Sequence, residues 1–207
     1  MYILGLTGGI ATGKTSVSDF LKTKGAVILD ADLIVHELLA PGQLGHKAVL
    51  THFGNDVLNA DQTIDRAKLG ALVFNDEAQR QKLNELIHPL VRQELKNRVA
   101  HYEQLENKAN TSSLLVMVIP LLYESNLAHL VDRSWVVYCP EPAQKKRLMA
   151  RNNYSEEEAM ARIHSQISIE EKVKKADEVL DNSRNPEYTQ EQVNLLLEGL
   201  KWDAYSP

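Results

Sequence analysis

The sequence predicts an α/β fold, a doubly wound parallel sheet of about five strands with two helical insertions. Three observations carry this. Short apolar runs of strand length recur, several of them apolar at every position. Segments of helical period lie between them. Two long stretches hold no strand pattern at all. Strands covered on both faces lose the in–out alternation of a half-exposed sheet, and alternation of strands with helices marks this fold class.

The elements follow in order. Tyr2–Leu6 is the first strand, and Thr15–Thr23 the helix behind it. Ala26–Leu29 is the second strand, ending in Asp30-Ala31-Asp32. From Leu33 to about Leu105 no strand pattern occurs. Leu83, Leu86, Leu90 and Leu95, with Val91, Val99 and Tyr102, keep a helical period there. Pro89 interrupts it and is expected to open a new helix, because proline suits the first helical position. Leu105–Ser113 is polar and reads as a connecting loop. Leu114–Ile119 is the third strand, stopped by Pro120. Trp135–Cys139 is the fourth, stopped by Pro140. Ala143 to about Lys175 is charged and helical, with Ser155-Glu156-Glu157-Glu158 as a good helix start. Glu178–Leu180 is a short fifth strand. Val193, Leu196, Leu197 and Leu200 fall at i, i+3, i+4 and i+7, so the last segment is an amphipathic helix. The division read from this is a core of residues 1–31, 106–140 and 176–207, with insertions at 32–105 and 141–175.

The bulk numbers set limits. A chain of 207 residues buries roughly 70% of its unfolded surface. Its single cysteine, Cys139, makes no internal disulfide and no metal cluster, and reads as an inert buried strand end. A net charge of −5 gives no basic field for nucleic acid. The longest apolar run, Leu114 to Leu122, falls short of the ~20 residues of a membrane helix, and the N-terminus lacks a signal peptide's basic region. A soluble cytoplasmic protein, monomer or small homo-oligomer, is the expectation.

The glycines after the first strand carry the chemistry. Gly8-x-x-x-x-Gly13-Lys14-Thr15 fits G-x-x-x-x-G-K-[ST]. Glycines let the backbone curl so that successive N–H groups face phosphate oxygens, and the helix that follows presents its free N–H groups to the same anion. Lys14 supplies a point charge for the β- and γ-phosphates, and the Thr15 hydroxyl a ligand for Mg²⁺. A chain of this size matches the pattern by chance roughly once in a hundred, and here the loop leaves a strand and opens a helix, as the motif requires. The predicted triphosphate contacts are Gly8, Gly9, Ala11, Thr12, Gly13, Lys14, Thr15 and Ser16.

Other features narrow the use of that triphosphate. No D-x-x-G occurs, and Asn107-Lys108-Ala109-Asn110 lacks the Asp of a guanine motif, which argues against a GTPase. Strands three and four end in Val118-Ile119-Pro120 and Cys139-Pro140, not in an acidic residue of the motor-ATPase type. The carboxylates stand after strand two. Ligands of open α/β sheets bind at the carboxyl ends of strands, so Asp32 is a candidate base for an attacking hydroxyl and a water-mediated Mg²⁺ partner, while Asp30 reads as a helix cap. In the second insertion Arg147 and Arg151 lie four apart on one helix face, with Arg162 and Gln166 repeating the spacing. Lys145 and Lys146 read equally as a solvated face. A mobile lid carrying arginines excludes water on closing. At this level a small-molecule kinase for a nucleotide or sugar and a non-catalytic ATP-binding module both stay open.

The ordered set resembles the dephospho-coenzyme A kinase family over nearly the whole chain. The resemblance rests on Leu6-Thr7-Gly8-Gly9-Ile10, Asp30-Ala31-Asp32, Leu83-Asn84-Glu85-Leu86-Ile87-His88-Pro89 and Pro120-Leu121-Leu122-Tyr123-Glu124. It continues through Gln144–Arg151, Ala176-Asp177 and Asp181-Asn182. It implies a P-loop kinase fold and transfer from ATP to the ribose 3′-hydroxyl of dephospho-CoA, giving CoA and ADP. By that resemblance Asp32 is the base, and Lys14 and Arg147 stabilise the transferring group. Asn182 lies near adenine, and Thr7, His88 and Arg151 join Asp32 on the acceptor side. Residues 32–105 become the CoA-side domain and 141–175 the lid. The chain departs from the family pattern at Ala11, where glycine is usual and a negative φ is expected, at Asn152-Asn153, and at Arg184, where a glycine often follows Asn-Ser.

Overall fold

The computed structural model describes residues 1–74, 76–109 and 113–200. The chain forms two compact units, Met1–Leu29 with Leu105–Pro207, and Asp30–Gln104.

The first unit is built on a five-stranded sheet. β1 (Tyr2–Gly8), β2 (Val27–Asp30), β3 (Leu114–Val118), β4 (Arg133–Tyr138) and β5 (Glu178–Asp181) stand in the order β2-β3-β1-β4-β5. The pairs β1–β3, β1–β4 and β4–β5 run parallel. β1 is central, with Tyr2 opposite Leu114 on one side and Gly8 opposite Val137 on the other. All five residues of β3 are buried, which is why its sequence shows no alternation. α1 (Lys14–Thr23) buries Val17 and Leu21, and α9 (Pro186–Gly199) buries Val193 and Leu197. These four meet Leu4, Leu6, Val116, Trp135 and Leu180 in one core. The four-residue spacings put each helix's buried pair on one face.

Residues 141–175 form α6 (Glu141–Asn152), α7 (Glu156–His164) and α8 (Ile169–Lys175). α7 starts on the predicted capping box. Ser155 Oγ accepts from Glu158 N, and Glu158 Oε2 accepts from Ser155 N at 2.9 Å. Leu148, Ala159 and Ile163 pack here with Ile10 and Ala11 of the glycine-rich loop.

The second unit is helical: α2 (Ala31–Leu38), α3 (Leu44–Phe53), α4 (Arg66–Phe74) and most of α5 (Glu77–Ala109). Ile34, Val49, Val57, Ile87, Val91 and Leu95 are among its buried apolar residues. Two expectations change. Pro89 lies inside α5 and does not begin a helix. Proline removes one backbone bond, about 3 kcal/mol, but Ile87, Val91 and Leu95 at four-residue intervals bury a face on either side of it, and packing outweighs propensity. The loop predicted over Leu105–Ser113 is helical as far as Ala109, because Leu, Glu, Lys and Ala are all good helix formers. Its residues 110–112 lie outside the described residues.

Candidate phosphate and phosphoryl-transfer site

β1 ends at Gly8 and α1 begins at Lys14, so the loop between them opens beyond the carboxyl end of the central strand. Gly13 is the N-cap of α1, with φ 99° and no side-chain cap. The first N–H groups of α1 therefore lack a side-chain partner at the cap position and suit an anion. A Cβ at Gly13 would come within 2.0 Å of Asn182 Nδ2, and one at Gly9 within 2.5 Å of Gln144 Oε1. Gly13 is also left-handed, so a side chain there is strained as well as blocked, whereas at Gly9 the end of Gln144 would have to shift.

The loop is fixed by its carbonyls. Lys14 Nζ donates to Gly8 O at 3.0 Å and to Gly9 O at 2.8 Å. Thr12 is buried, and its hydroxyl donates to Gly9 O at 3.0 Å. Asn182 Nδ2 donates to Thr12 O at 2.7 Å while its Oδ1 accepts from Thr189 at 2.8 Å. Arg147 on α6 donates through Nη2 to Asn182 O at 2.8 Å and through Nη1 to Thr12 O at 3.5 Å. Arg carries five N–H bonds in a planar fork, so three remain beyond these two. Thr15 and Ser16 are exposed on the first turn of α1.

Ala11 differs from expectation. Its φ is +58°, not negative. A left-handed alanine costs roughly 1–2 kcal/mol, and the methyl group recovers part of this by packing with the α6–α7 cluster around Leu148.

Beside the loop lies a cavity of about 420 Å³, within the range of small-ligand sites. Val17, Phe20 and Val193 give it an apolar wall, and Arg147, Asn182 and Arg184 its polar rim. The Arg184 guanidinium stacks over the Tyr188 ring at 4.4 Å. This cavity is large enough for a base and ribose, and no sequence pattern announced it.

The remaining predicted residues stand as follows. Asp30 caps α2, its Oδ1 accepting from Asp32 N at 2.8 Å. Asp32 is exposed in the first turn of that helix, two residues beyond β2. Thr7 is fully buried, and its hydroxyl donates to Pro120 O at 3.2 Å. Arg151 is exposed on the last turn of α6, its Nε donating to Asn152 Oδ1 at 2.8 Å. His88 is half-buried on α5. Burial lowers its pKa below the ordinary value, and Arg92 adds to the effect. Lys145 pairs with Glu156 at 2.5 Å. Cys139 is buried, and burial pushes its thiol pKa up against the pull of Arg147.

Two residues with structural weight here were not singled out from sequence. Gln144 is buried and donates to Cys139 O at 2.8 Å while covering Gly9. Lys172 is fully buried, paired with Glu124 at 2.9 Å. Both sit in charged helical segments whose pattern reads as solvated. Gln144 turns back to the strand end five residues before it, while Lys172 reaches Pro120, 52 residues away, which no local period can indicate.

Among the described residues, no group of three or more His, Cys, Asp or Glu could hold a metal, and no helix is long and apolar enough to cross a membrane. Mg²⁺ at phosphates takes one or two protein oxygens, the rest being phosphate and water. The exposed Thr15 hydroxyl at the loop fits that pattern.

A family model described as dephospho-CoA kinase matches residues 2–187. The chain is 45% identical over 204 residues to the dephospho-CoA kinase of Carboxydothermus hydrogenoformans, covering 99% of this chain and 97% of that protein. The solved structure of TT1252 from Thermus thermophilus superposes with a TM-score of 0.79 at 28% identity, over 97% of this chain and 98% of that one. A dephospho-CoA kinase from Campylobacter jejuni gives a TM-score of 0.66 at 31% identity, over 95% and 96%.

Proposed function

The chain belongs to the dephospho-CoA kinase family, and from that premise we propose how its residues divide the work. The reaction is phosphorylation of dephospho-CoA with ATP as donor, the final step of coenzyme A biosynthesis. The ribose 3′-hydroxyl is the acceptor in this reading. Its oxygen bonds to the γ-phosphorus as the bond from that phosphorus to the ADP oxygen breaks. The hydroxyl proton passes to the Asp32 carboxylate.

Lys14 and the loop N–H groups hold the β- and γ-phosphates. Lys14 exchanges its bonds to Gly8 O and Gly9 O for phosphate oxygens. Arg147 adds a planar, permanently charged donor to the transferring group. Thr15, with Asp32 through water, would hold Mg²⁺, which would supply charge neutralisation to the phosphates. The nucleoside fills the cavity beside Val17 and Phe20. Asn182 acts there by holding the loop and lining the cavity. The core is residues 1–31, 106–140 and 176–207. Residues 32–105, with His88, receive the CoA side, and residues 141–175 act as the lid, with Arg151 and Thr7 on the acceptor side.

One observation carries the reading. An arginine of the second insertion is bonded to a carbonyl of the phosphate loop and to the residue after β5, which supports a role for this insertion beside the loop. Asp32 supports it by following β2, since ligands of open parallel sheets bind beyond the carboxyl ends of strands. The test is ADP release with dephospho-CoA, AMP, CMP or gluconate as acceptor, with and without Mg²⁺. Release only with dephospho-CoA and Mg²⁺ is expected. Equal release without Mg²⁺ would remove the metal from the mechanism.

A further inference from the structure

Lys172 has no part in the chemistry described above, yet it is the largest charged side chain in the first unit's interior. Its side chain is 0% exposed. The ammonium donates to Pro120 O at 2.6 Å and pairs with Glu124 Oε1 at 2.9 Å. The Pro120 carbonyl is shared, because Thr7 Oγ1 donates to it as well, at 3.2 Å. Glu124 Oε1 also accepts from Ile167 N, in the α7–α8 connection, at 3.3 Å. Four chain segments thus converge on one carbonyl and one carboxylate: the end of β1, the turn after β3, the α7–α8 connection and α8.

Stability alone gives little reason for this arrangement. Withdrawing an ammonium from water is costly, and burial accordingly pulls the Lys172 pKa down while Glu124 pushes it back. Replacing buried ion pairs with apolar side chains of similar volume is often neutral or stabilising. What an ammonium does that a methionine cannot is fix a carbonyl oxygen in direction. That carbonyl orients the Thr7 hydroxyl one residue before the phosphate loop begins.

We propose that Lys172 is a positioning residue for the acceptor. It clamps the Pro120 carbonyl, sets the direction of the Thr7 hydroxyl through it, and through Glu124 ties the end of the lid segment to the same point. The inference rests on the reading above that places Thr7 on the acceptor side. Lys172 does not touch a substrate. It transmits lid position to the end of β1.

The experiment compares Lys172→Met, Thr7→Val, Thr7→Ser and the Lys172→Met/Thr7→Val double variant in the full chain. KM for dephospho-CoA, KM for ATP, kcat and thermal midpoint are measured for each. Misplacement by about an ångström costs up to about a hundredfold, so a loss of about tenfold to a hundredfold in kcat/KM for dephospho-CoA is expected. It should be carried by the acceptor KM, with the ATP KM moved less than about twofold. Thr7→Val should show the same selectivity and Thr7→Ser recover most of the loss. The double variant should be little worse than either single one, because both act through one carbonyl.

A folded Lys172→Met protein with wild-type KM values overturns the proposal, as does equal loss toward both substrates. Should Lys172→Met fail to fold, the Thr7 pair decides, since both variants keep the ion pair: a silent Thr7→Val overturns it. The underlying reading fails on a different result, near-normal turnover of Asp32→Asn. A silent Thr7→Val beside an inactive Asp32→Asn therefore strikes the positioning role alone.

Discussion

The phosphate loop and the helical unit of residues 30–104 are held by different mixtures of contacts. Around the loop the fixing contacts are hydrogen bonds to backbone carbonyls: Lys14 on Gly8 and Gly9, Asn182 and Arg147 on Thr12, Gln144 on Cys139. In the helical unit they are apolar faces, with Ile34, Val49 and Leu95 at 0% exposure, and Leu33 and Leu44 left more than 60% exposed. Directional bonds hold atoms to a few tenths of an ångström and tolerate little change. Apolar packing tolerates exchange of shape at constant volume. The difference teaches where precision is needed. A triphosphate demands fixed N–H vectors, whereas a bulky acceptor demands a surface.

Variants can break or sharpen this contrast. Asp32→Asn should have the largest effect, lowering kcat by about 10²–10⁴ while ATP binding persists. Asp32 belongs to the helical unit by position, so full turnover in this variant, measured by coupled ADP release, would leave that unit with no chemical part. Leu95→Ala removes a fully buried side chain of α5 and should cost about 2–5 kcal/mol in denaturant unfolding. Its ATP affinity should stay near wild type if the loop is fixed independently. Asn182→Ala is the mirror case. It deletes the donor to Thr12 O and should cut kcat/KM for ATP by about tenfold to a hundredfold, with a smaller loss of stability. Unchanged ATP kinetics would show that the loop keeps its shape without this tether.

Smaller effects refine the picture. Ala11→Gly relieves a left-handed backbone worth roughly 1–2 kcal/mol but loses a methyl contact worth up to about 0.8 kcal/mol. A net stabilisation of about 0.2–2 kcal/mol is expected from thermal unfolding, and a destabilisation would mean that lid packing outweighs strain. His88 tests pH. Its pKa is lowered on folding, by burial first and then by Arg92. The unfolded chain therefore binds more protons in the window from the lowered native pKa up to the unfolded value near 6.5. Stability contributed through His88 rises with pH across that window and falls as acid is added. His88→Gln should flatten this part of the stability–pH curve. An unchanged slope would assign it to other groups.

Much of the fold was legible for a simple reason. β3 and β4 are apolar along most of their length because they are buried along most of it, and such runs stand out in any sequence. The loop was legible because its residue types follow from the ligand. Asp30 as a cap was legible, since a carboxylate before a helix has few better uses. Pro89 was misread because local rules place proline at helix starts, while the packing of Ile87, Val91 and Leu95 is a tertiary fact. Ala11 was misread for a related reason: the backbone conformation is dictated by the loop's closure and not by the residue. Gln144 and Lys172 were invisible as interior residues. Each has a charged residue beside it, Lys145 and Glu171, and the carbonyls they satisfy lie outside their own helices.

The chain's single sulfhydryl, Cys139, stands at the end of β4 with no exposed surface, and its proton is held more firmly than in water. Gln144 grips the carbonyl of the same residue. A thiol reagent can meet this sulfur only in molecules where the region around the end of β4 and α6 has come open. The protein thus carries a built-in clock. Each chain adds one label, and the labelling rate at saturating reagent counts openings of the phosphate end of the sheet, which bound nucleotide should slow and unfolding should release at once.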